Sequence, residues 1–519
     1  MDTAKARCIS DLPDSFNAAE DLLAGNVARH PDKIAIIDHR GSCSYAELAN
    51  RVARMANLFE QLGIQRDQRI LLCLTDTRDF PTVFLGAIRA GVIPVPLNTL
   101  LTAEDYAWIL HNSGARAVFV SSELADRWHD IAAQEPHVHF ISSEGGPWAD
   151  LETLLAQAVP AIHPAPTHRD DVAFWLYTSG STGRPKGAMH LHGSMRLAAN
   201  LYGLGTAGIR GDDVIFSVAK QFFAYGLGNA LIFPYAAGAT VVLFNGRAMP
   251  DAISEILIQH HVSVLGGVPT FFAGWLAHPS CPESVQVPAL RLALSAGEAL
   301  PAHIGQAFNE RFGADILDGL GSTEMLHIFV SQRAGAVRYG CSGTVVEGYR
   351  VRVVGDDGIE VPTGEIGNLQ VCGPTTAIGY WRNREKSVQS FCGEWTVTGD
   401  KYVMDAEGWL TYSGRSDDML KVGGIYVSPI EVEEALTSHS DVLEAAVVGA
   451  TDAEGLTKPH AYVVLHQNVA QGDALDAALK AHVKDRLAPY KYPRWIEFVD
   501  ELPKTATGKI QRFRLRASA

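Results

Sequence analysis

The sequence predicts a large N-terminal α/β region with subdomains, followed by a small α+β C-terminal domain. The chain has 519 residues, enough for several domains of ~100–200 residues each. Apolar runs of strand length alternate with helix-period segments through most of the chain, and this alternation is typical of parallel sheets covered by helices. The end of the chain carries a shorter, mixed pattern. We therefore place the domain boundary between residues 1–414 and 415–519.

In the N-terminal region, apolar residues recur at helical spacing in residues 45–62 and again in 82–90. Short apolar runs between such segments predict buried strands. The segment 162–171 holds two prolines and predicts a loop between subdomains. The predicted strands are residues 69–74, 117–120 and 239–244.

The C-terminal domain shows a helix start. Ser428 is a suitable N-cap, Pro429 suits the first turn, and Glu431 stands where a capping box needs an acid. This predicts a helix that ends near Leu436. The remaining pattern predicts a second helix and three strands. The helix is residues 474–487, and the strands are 442–449, 461–465 and 495–499.

Composition excludes several functional classes. Lys and Arg total 43 against 58 Asp and Glu, for a net charge of −15, which disfavours nucleic acids and anionic membranes as partners. We find neither an apolar run of ~20 residues nor a secretory signal, so we expect no membrane insertion. The seven cysteines are scattered without a CxxC pair. This indicates reduced thiols and a cytoplasmic protein.

The most informative segment is YTSGSTGRPKG at residues 177–187, which follows a predicted strand. Glycines let backbone N–H groups approach a phosphate, hydroxyls donate hydrogen bonds, and Lys186 supplies positive charge. The segment is not a Walker A motif, because Pro185 precedes the lysine and Gly187 follows it. A Ser/Gly-rich loop without a ligand is the alternative.

This loop resembles the signature loop of the adenylate-forming superfamily, and four further segments resemble that family's motifs in the same order. They are DGLGSTEM at 318–325, WTVTGD at 395–400, GRSDDMLKVGG at 414–424 and PKTATGK at 503–509. The resemblance covers nearly the whole chain and is strongest to ligases that join benzoate or 4-hydroxybenzoate to coenzyme A. It implies an acyl-CoA synthetase-like fold in which the C-terminal domain is a mobile lid.

The resemblance also implies ATP and coenzyme A as co-substrates and Mg²⁺ as a cofactor. Lys509 would bridge the acid carboxylate and the α-phosphate, where charge builds up. Thr323 would contact the α-phosphate, and Glu324 would bind Mg²⁺. The other phosphates would be held by Thr178, Ser179, Gly180, Ser181, Thr182, Gly183 and Lys186. The nucleotide would contact Gly297, Glu298, Asp318, Gly319, Asp400, Arg415 and Lys421, with Asp400 and Arg415 at the ribose.

A second half-reaction, attack of the coenzyme A thiol on the acyl-adenylate, is implied for the lid. Asp417 matches the hinge position. Gly423 and Gly424 would line the tunnel for the pantetheine arm, since they carry no side chain. Acetylation of Lys509 would remove its charge, so a lysine acetyltransferase is an expected partner.

The acid pocket is expected from the segment QFFAYGLGN at 221–229 and from residues beside the nucleotide motifs. Tyr225 is a bulky wall, whereas Ala296 and Gly297 leave room for a flat ring. Such a pocket suits an aromatic acid, with benzoate preferred. Ordinary core packing is the alternative for Tyr225, and a core position with a backbone partner is the alternative for His327. The pocket residues are Ala224, Tyr225, Ala296, Gly321, Leu326, His327 and Ile328.

The histidine pair and the exact reaction each allow more than one interpretation. His190 and His192 form an HxH pair that could bind a metal, but no partner ligand stands nearby in sequence, which favours a structural role. A related aryl-CoA ligase for 4-hydroxybenzoate or another substituted benzoate, an adenylation enzyme that loads a carrier protein and a non-catalytic acyl-AMP sensor are functional alternatives. The combination of Lys509, Glu324, Asp400 and Arg415 disfavours the sensor. Both a monomer and a dimer are compatible with the sequence.

Overall fold

The structure is a computed structural model that describes residues 3–178, 184–416, 418–422, 425–452, 456–467, 469–487, 491–504 and 510–516. The chain divides into two compact units. The first comprises Met1–Tyr339, Gly343–Arg350 and Val371–Thr396, and the second comprises Gly340–Ser342, Val351–Gln370 and Val397–Ala519. The predicted boundary at residue 414 lies within the second unit, and the movement of residues 415–519 as a lid stays a prediction.

The largest sheet of the first unit has nine strands in the described residues. Its six central strands run parallel, and the outer strands are antiparallel. This arrangement confirms the predicted α/β class. In order across the sheet, the strands are Thr344–Val345, Ile328–Ser331, Asp315–Gly321, Leu292–Ala296, Val264–Gly267, Val214–Ser217, Thr240–Val242, Ile34–Asp38 and Gly41–Ser44.

A second sheet of the first unit is entirely parallel. Three of its strands, Arg69–Cys73, Ile93–Pro96 and Ala117–Ser121, are buried along almost their whole length, and the apolar runs in the sequence predict this for the first and third. A separate antiparallel pair consists of Val172–Thr178 and Lys186–Leu191. The strands of the parallel sheet, in order, are Ile93–Pro96, Arg69–Cys73, Ala117–Ser121, His139–Ser143 and Ala149–Asp150.

Helices of the first unit pack against these sheets. The predicted helices are found at Tyr45–Gln61 and Asp79–Arg89, and the first begins with a capping box between Ser44 and Glu47. The other α-helices are Ala18–Arg29, Ala103–Ser113, His129–Gln134, Leu151–Gln157, His192–Ala198, Ala224–Leu227, Phe233–Ala237, Pro250–Gln259, Pro269–Leu276, Ala302–Phe312 and Arg384–Ser390. Short 3₁₀ turns are Thr3–Lys5, Ile9–Asp11, Ser122–Arg127 and Ser284–Gln286, and π-helical segments are Ala199–Leu204 and Gly228–Ile232.

The second unit is a smaller α+β assembly, as predicted. Its helices are Pro429–Thr437, Asp473–Lys484 and Arg512–Arg516. Its three-stranded sheet is Val442–Thr451, Thr457–Leu465 and Trp495–Phe498, and Leu420–Val422 pairs with Ile425–Val427. A further sheet is formed by segments that the division above assigns partly to each unit, and its strands are Arg350–Val354, Ile366–Cys372, Trp395–Met404, Phe391–Cys392 and Leu410–Arg415.

The predicted capping box at Ser428 is only half formed. The Ser428 hydroxyl accepts a hydrogen bond from the Glu431 N–H at 3.3 Å. The Glu431 carboxylate instead forms an ion pair with Lys491, at 2.6 Å from Nζ to each oxygen. The Glu431 carboxylate pairs with Lys491 and not with the Ser428 N–H, because charge-assisted hydrogen bonds are stronger than neutral ones.

The described part of the chain contains no helix with both the length and the apolar character needed to cross a bilayer.

Candidate active site

Two antiparallel strands flank the candidate phosphate loop. Val172–Thr178 and Lys186–Leu191 pair so that Thr178 lies opposite Lys186. The predicted strand before the loop is therefore confirmed. The segment that connects Thr178 to Lys186 thus joins the two strands of a hairpin.

Tyr380 brings a lysine and a glutamate together beside this hairpin. The Lys186 ammonium lies 4.7 Å from the centre of the Tyr380 ring, within cation–π range. The Tyr380 hydroxyl donates a hydrogen bond to Glu324 Oε1 at 2.6 Å. Burial and the charge of Glu324 both raise the pKa of Tyr380, so the hydroxyl stays protonated and keeps donating. One aromatic ring thus supports both a cation and a carboxylate.

The Glu324 carboxylate suits Mg²⁺. It is a hard oxygen donor, it is half-buried, and it lies next to the hairpin that flanks the phosphate loop. Across the described ranges, no group of three or more His, Cys, Asp or Glu side chains could hold a metal ion. A single carboxylate of this kind fits a magnesium ion that takes most of its ligands from nucleotide phosphates and water.

Two neighbouring parallel strands, Leu292–Ala296 and Asp315–Gly321, end side by side. Ala296 lies opposite Gly319, and a side chain at Gly319 would lie 2.9 Å from the Cγ2 atom of Ile328. A larger side chain at Gly319 would therefore displace Ile328, whereas the space that Ala296 and Gly297 would leave for a flat ring stays a prediction. The predicted residues at or just after the strand ends are Ala296, Gly297, Glu298, Asp318, Gly319 and Gly321.

Asp318 is buried, with 3% of its surface exposed. Burial raises the pKa of its carboxyl to about 7. The Leu300 N–H donates to Oδ2 only at 3.4 Å, and Oδ1 has no partner within hydrogen-bond distance among the described residues. Its environment therefore favours the neutral acid more than that of an ordinary aspartate does.

A tight turn connects these strand ends with the predicted wall of the acid pocket. The Leu326 N–H donates to the Thr323 carbonyl at 3.1 Å, and Leu326 has a φ of +67°. This backbone conformation is uncommon for a bulky residue and is found most often at functional sites. The turn leads from Thr323 and Glu324 to His327 and to the strand Ile328–Ser331 within a few residues.

His327 lies among three aromatic rings. Ring-centre distances are 4.5 Å to Phe233, 5.2 Å to Tyr202 and 5.5 Å to Tyr225. A side chain at Gly228 would lie 2.2 Å from His327 Cδ2, so the π-helical segment must carry glycine there. The small residue makes room for the imidazole in this aromatic cluster.

The hydrogen bond of His327 fixes its tautomer. Nε2 lies 3.2 Å from the Tyr225 carbonyl oxygen, which can only accept, so Nε2 carries the proton. Burial lowers the pKa of His327 to about 3, so the ring is neutral and Nδ1 keeps a lone pair. The backbone partner and the contacts with protein rings are those expected of a core histidine, and contact of His327 with the ring of the substrate stays a prediction.

Several buried polar atoms near this cluster have no hydrogen-bond partner within the described chain. They are the hydroxyls of Tyr202 and Tyr225, His327 Nδ1, and both amide atoms of Asn229. Native proteins rarely leave buried polar atoms unpaired. Each of these atoms would therefore gain a hydrogen bond from any polar group or water molecule that reached it.

The HxH pair has a structural arrangement. His190 stacks on Phe174 at 5.1 Å, and His192 Nδ1 accepts a hydrogen bond from the Ala18 N–H at 3.1 Å. Burial lowers the pKa of each histidine to about 4. Both are neutral core residues, as the sequence argument favours.

In the second unit, Asp400 and Arg415 lie opposite each other on paired strands. Arg415 Nη1 donates to Asp400 Oδ1 at 2.9 Å. Gly399 has a φ of +76°. Asp400 follows it within the strand Trp395–Met404, and the strand pairing places Asp400 beside Arg415. Lys421 belongs to the strand Leu420–Val422.

Part of the predicted site lies outside the described residues. These positions are Ser179, Gly180, Ser181, Thr182, Gly183, Asp417, Gly423, Gly424 and Lys509.

Local sequence patterns do not indicate Tyr380, Tyr202 or Phe233. Each acts through a contact between segments that are far apart in the chain, and no local pattern indicates such a contact. The only available signal for Tyr380 was its place in an aromatic pair, Tyr380–Trp381, within an otherwise polar stretch.

The strand ends of the parallel sheet lie near the hairpin of Val172–Thr178 and Lys186–Leu191, here called the phosphate hairpin, and near a lysine and a carboxylate. This arrangement is typical of a nucleotide-binding enzyme. The chain belongs to the AMP-binding enzyme family. The family's sequence pattern matches residues 23–381, and that of the AMP-binding enzyme C-terminal domain matches residues 431–509. The predicted membership in the adenylate-forming superfamily is thereby confirmed.

Individual relatives match over almost the full length. A benzoate–CoA ligase of Thauera aromatica is 53% identical over 511 residues, covering 98% of this chain and 97% of its own. A 4-hydroxybenzoate–CoA/benzoate–CoA ligase of Rhodopseudomonas palustris is 49% identical, covering 96% and 94%. The crystal structure of a benzoate CoA ligase from Burkholderia xenovorans LB400 superposes with a TM-score of 0.91 at 50% identity, covering 96% of this chain and all of that one.

Proposed function

We propose that this protein is an ATP-dependent benzoate–CoA ligase. It converts benzoate, ATP and coenzyme A into benzoyl-CoA, AMP and diphosphate through a benzoyl-adenylate. A benzoate oxygen attacks the α-phosphorus and diphosphate leaves. The coenzyme A thiol then loses its proton, its sulfur attacks the carbonyl carbon, and AMP leaves. The high identity to benzoate–CoA ligases over nearly the full length supports this assignment.

The observation that carries the proposal is the Tyr380 contact. Lys186 and Glu324 meet on that ring, and the turn after Glu324 leads directly to the neutral, aromatic surroundings of His327. Adenylation of an aromatic acid needs both features, because the site must hold a polyphosphate at one end and exclude water from an apolar ring at the other.

The chain's own residues divide the work. Lys186 binds a terminal phosphate of ATP, with Thr178 on the opposite strand and the residues 179–183 between them. Glu324 binds Mg²⁺, which neutralises charge on the phosphates when it is present. Thr323 contacts the α-phosphate. Asp400 binds the ribose hydroxyls, and Arg415 orients Asp400 through their ion pair.

Lys509 and the lid complete the proposal. Lys509 bridges the benzoate carboxylate and the α-phosphate during adenylation. The lid, residues 415–519, then turns about Asp417, and Gly423 and Gly424 line the pantetheine tunnel. A proline at Asp417 would fix φ near −65°, so Asp417→Pro should accumulate benzoyl-AMP and slow thioester formation. Unchanged overall turnover would exclude Asp417 as the hinge.

Acetylation of Lys509 by a lysine acetyltransferase would switch the enzyme off, because it removes the charge. Activity that survives complete acetylation of Lys509 would overturn this proposal. We also propose a cytoplasmic location, where ATP and coenzyme A are available. A monomer and a dimer both remain compatible with this mechanism.

The experiment that tests the proposed function is a panel of acids assayed with ATP and coenzyme A, following AMP release. Benzoate should exceed hexanoate and longer fatty acids in kcat/KM by roughly 10–200-fold, the value of about 1–3 kcal/mol of pocket contact. An enzyme that loads a carrier protein would instead form the acyl-adenylate and diphosphate but would not release AMP with free coenzyme A as the acceptor, and a sensor would bind ATP without turnover. A preference for palmitate would overturn the acid assignment.

Hydroxylated benzoates are the second candidate substrates. The lone pair on His327 Nδ1 and the unpaired hydroxyls of Tyr202 and Tyr225 are suited to a ring hydroxyl group. The same panel therefore includes 4-hydroxybenzoate and the singly hydroxylated isomers. A higher kcat/KM for one of these than for benzoate would reassign the enzyme to that acid.

A further inference from the structure

Two arginines lie side by side at the starts of two neighbouring inner strands of the parallel sheet. Arg69 begins the strand Arg69–Cys73, and Arg116 directly precedes the strand Ala117–Ser121. The Arg116 N–H donates to the Arg69 carbonyl at 2.8 Å. Residues that lie opposite each other on parallel strands point to the same face, and the strands are only about 4.8 Å apart. The two guanidinium groups therefore start from neighbouring positions on one face.

Arg382 joins this pair through an indole ring. The Arg69 guanidinium lies 5.6 Å from the centre of the Trp175 ring and 5.3 Å from that of Trp381. The Arg382 guanidinium also lies 5.3 Å from the Trp381 ring. Stacking on aromatic rings holds the planar groups in place without neutralising their charge.

The three arginines have no carboxylate partner within 4.0 Å among the described residues, whereas the nearby Arg66 and Arg184 pair with Asp171 and Glu104. Arg69 donates to the backbone carbonyls of Ser113 at 2.8 Å and Asp67 at 3.0 Å. Arg382 donates to the carbonyl of Asn112 at 3.3 Å.

Burial and the charges of Arg382 and Arg116 lower the pKa of Arg69, against a favourable contribution from Asp67. Like charges are thus held together, at a cost, on a protein whose net charge is −15. A bound anion would offset that repulsion. Arg116 and Arg382 are exposed, so their remaining N–H groups are accessible to such an anion.

We propose that Arg69, Arg116 and Arg382 form an accessory binding site for a phosphate-bearing anion. Guanidinium groups bind phosphate oxygens through paired, charge-assisted hydrogen bonds. The site lies beside the phosphate hairpin, because the Trp381 N–H donates to the Gly187 carbonyl at 2.8 Å. The reaction offers two sources of such a group. One is the diphosphate that leaves after adenylation, and the other is the nucleotide end of coenzyme A.

The test of the site is calorimetric titration with inorganic diphosphate in a Lys186→Ala background, which weakens the phosphate loop. Adding Arg116→Gln and Arg382→Gln should weaken the remaining binding by about 5–10-fold, as expected for two exposed charges. The exposed arginines Arg247 and Arg333 provide a matched pair of charge-removing Gln substitutions that should leave binding unchanged. Thermal unfolding of all variants checks their folding.

Equal weakening by both pairs of substitutions, or no binding in the Lys186→Ala background, would overturn the site. The titration uses no acid substrate, so it stands apart from the proposed function. The source of the phosphate is then read from kinetics with native Lys186. A lower ratio of kcat/KM for coenzyme A over 3′-dephospho-coenzyme A in the Arg116→Gln/Arg382→Gln variant would identify coenzyme A. Weaker inhibition by diphosphate at an unchanged ratio would identify the leaving group.

Discussion

The phosphate side and the aromatic side of the candidate site treat charge in opposite ways. Lys186 and Glu324 are half-buried, and they contact the ring and the hydroxyl of Tyr380 respectively. His327 is 3% exposed, and burial lowers its pKa to about 3, so it carries no charge at neutral pH. Exposure decides the difference, because desolvation penalises only the charged form of a group.

This contrast separates rate from choice of substrate. In the proposed mechanism, charged contacts on the phosphate side act on charge that develops during adenylation, so their loss should lower kcat steeply. Neutral contacts on the aromatic side are proposed to act on the shape and polarity of the acid, so their loss should change the relative kcat/KM of different acids.

The largest effect is expected for Lys509→Ala, which tests whether the positive charge of Lys509 makes the main contribution to the adenylation rate. Adenylation should fall roughly 10²–10³-fold or more, because the proposed charge acts while the carboxylate meets the α-phosphate. Thioester formation from supplied benzoyl-adenylate should be largely spared. Lys504→Ala, which removes a lysine paired with Glu444 at 2.6 Å, is the matched control. Equal loss of both half-reactions would contradict the assignment.

A smaller effect is expected at the Tyr380 contact. Glu324→Gln should lower adenylation by about 10²-fold and raise the Mg²⁺ concentration needed for half-maximal rate. Tyr380→Phe keeps the ring under Lys186 but removes the hydrogen bond to Glu324, and should cost about 10-fold. Magnesium titrations of the adenylation rate measure both. If Tyr380→Phe lowered the adenylation rate more than Glu324→Gln, the contact between the Tyr380 ring and Lys186 would not be the main contribution of Tyr380.

Much of the fold follows from local patterns, which explains why it could be predicted. The helix Tyr45–Gln61 and the strand Arg69–Cys73 lie within about one residue of their predicted bounds, because hydrophobic period and burial agree there. The strand at Thr240–Val242 is shorter than its apolar run, since apolar residues also continue into loops that pack on the core.

The candidate site is predictable only in part, for a physical reason. Motifs indicate the candidate phosphate-binding residues, because backbone and side-chain chemistry coincide in one short segment. Tyr380 and Tyr202 act through contacts with residues distant in sequence, Glu324 and His327. The half-formed cap at Ser428 has the same cause, because Lys491 is distant from Glu431 in sequence.

On the aromatic side, Tyr225→Ala should change the choice of acid more than the rate of phosphate chemistry. The lost ring enlarges the space beside His327, so bulkier acids should gain about 10-fold relative to benzoate in kcat/KM. Tyr225→Phe is the matched control, because it keeps the ring and removes only the buried hydroxyl. The acid panel measures both variants. An unaltered acid profile in Tyr225→Ala would remove Tyr225 from the pocket while leaving the ATP chemistry untouched.

The smallest effect is expected on the stability of the fold, and it comes from the buried carboxyl group of Asp318. Burial raises the pKa of Asp318 to about 7, above the value near 3.9 of an unfolded aspartate. Between these values the folded state binds more protons than the unfolded state, so this group destabilises the fold progressively as pH rises from about 4 to about 7. Asp318→Asn removes the titration. The melting temperature of the variant relative to the native chain should therefore rise by a few degrees between pH 5 and pH 8. Asp315→Asn, on the same strand but half-buried, is the control. A difference between Asp318→Asn and the native chain that falls with pH would mean that Asp318 is ionised and stabilised in the folded protein.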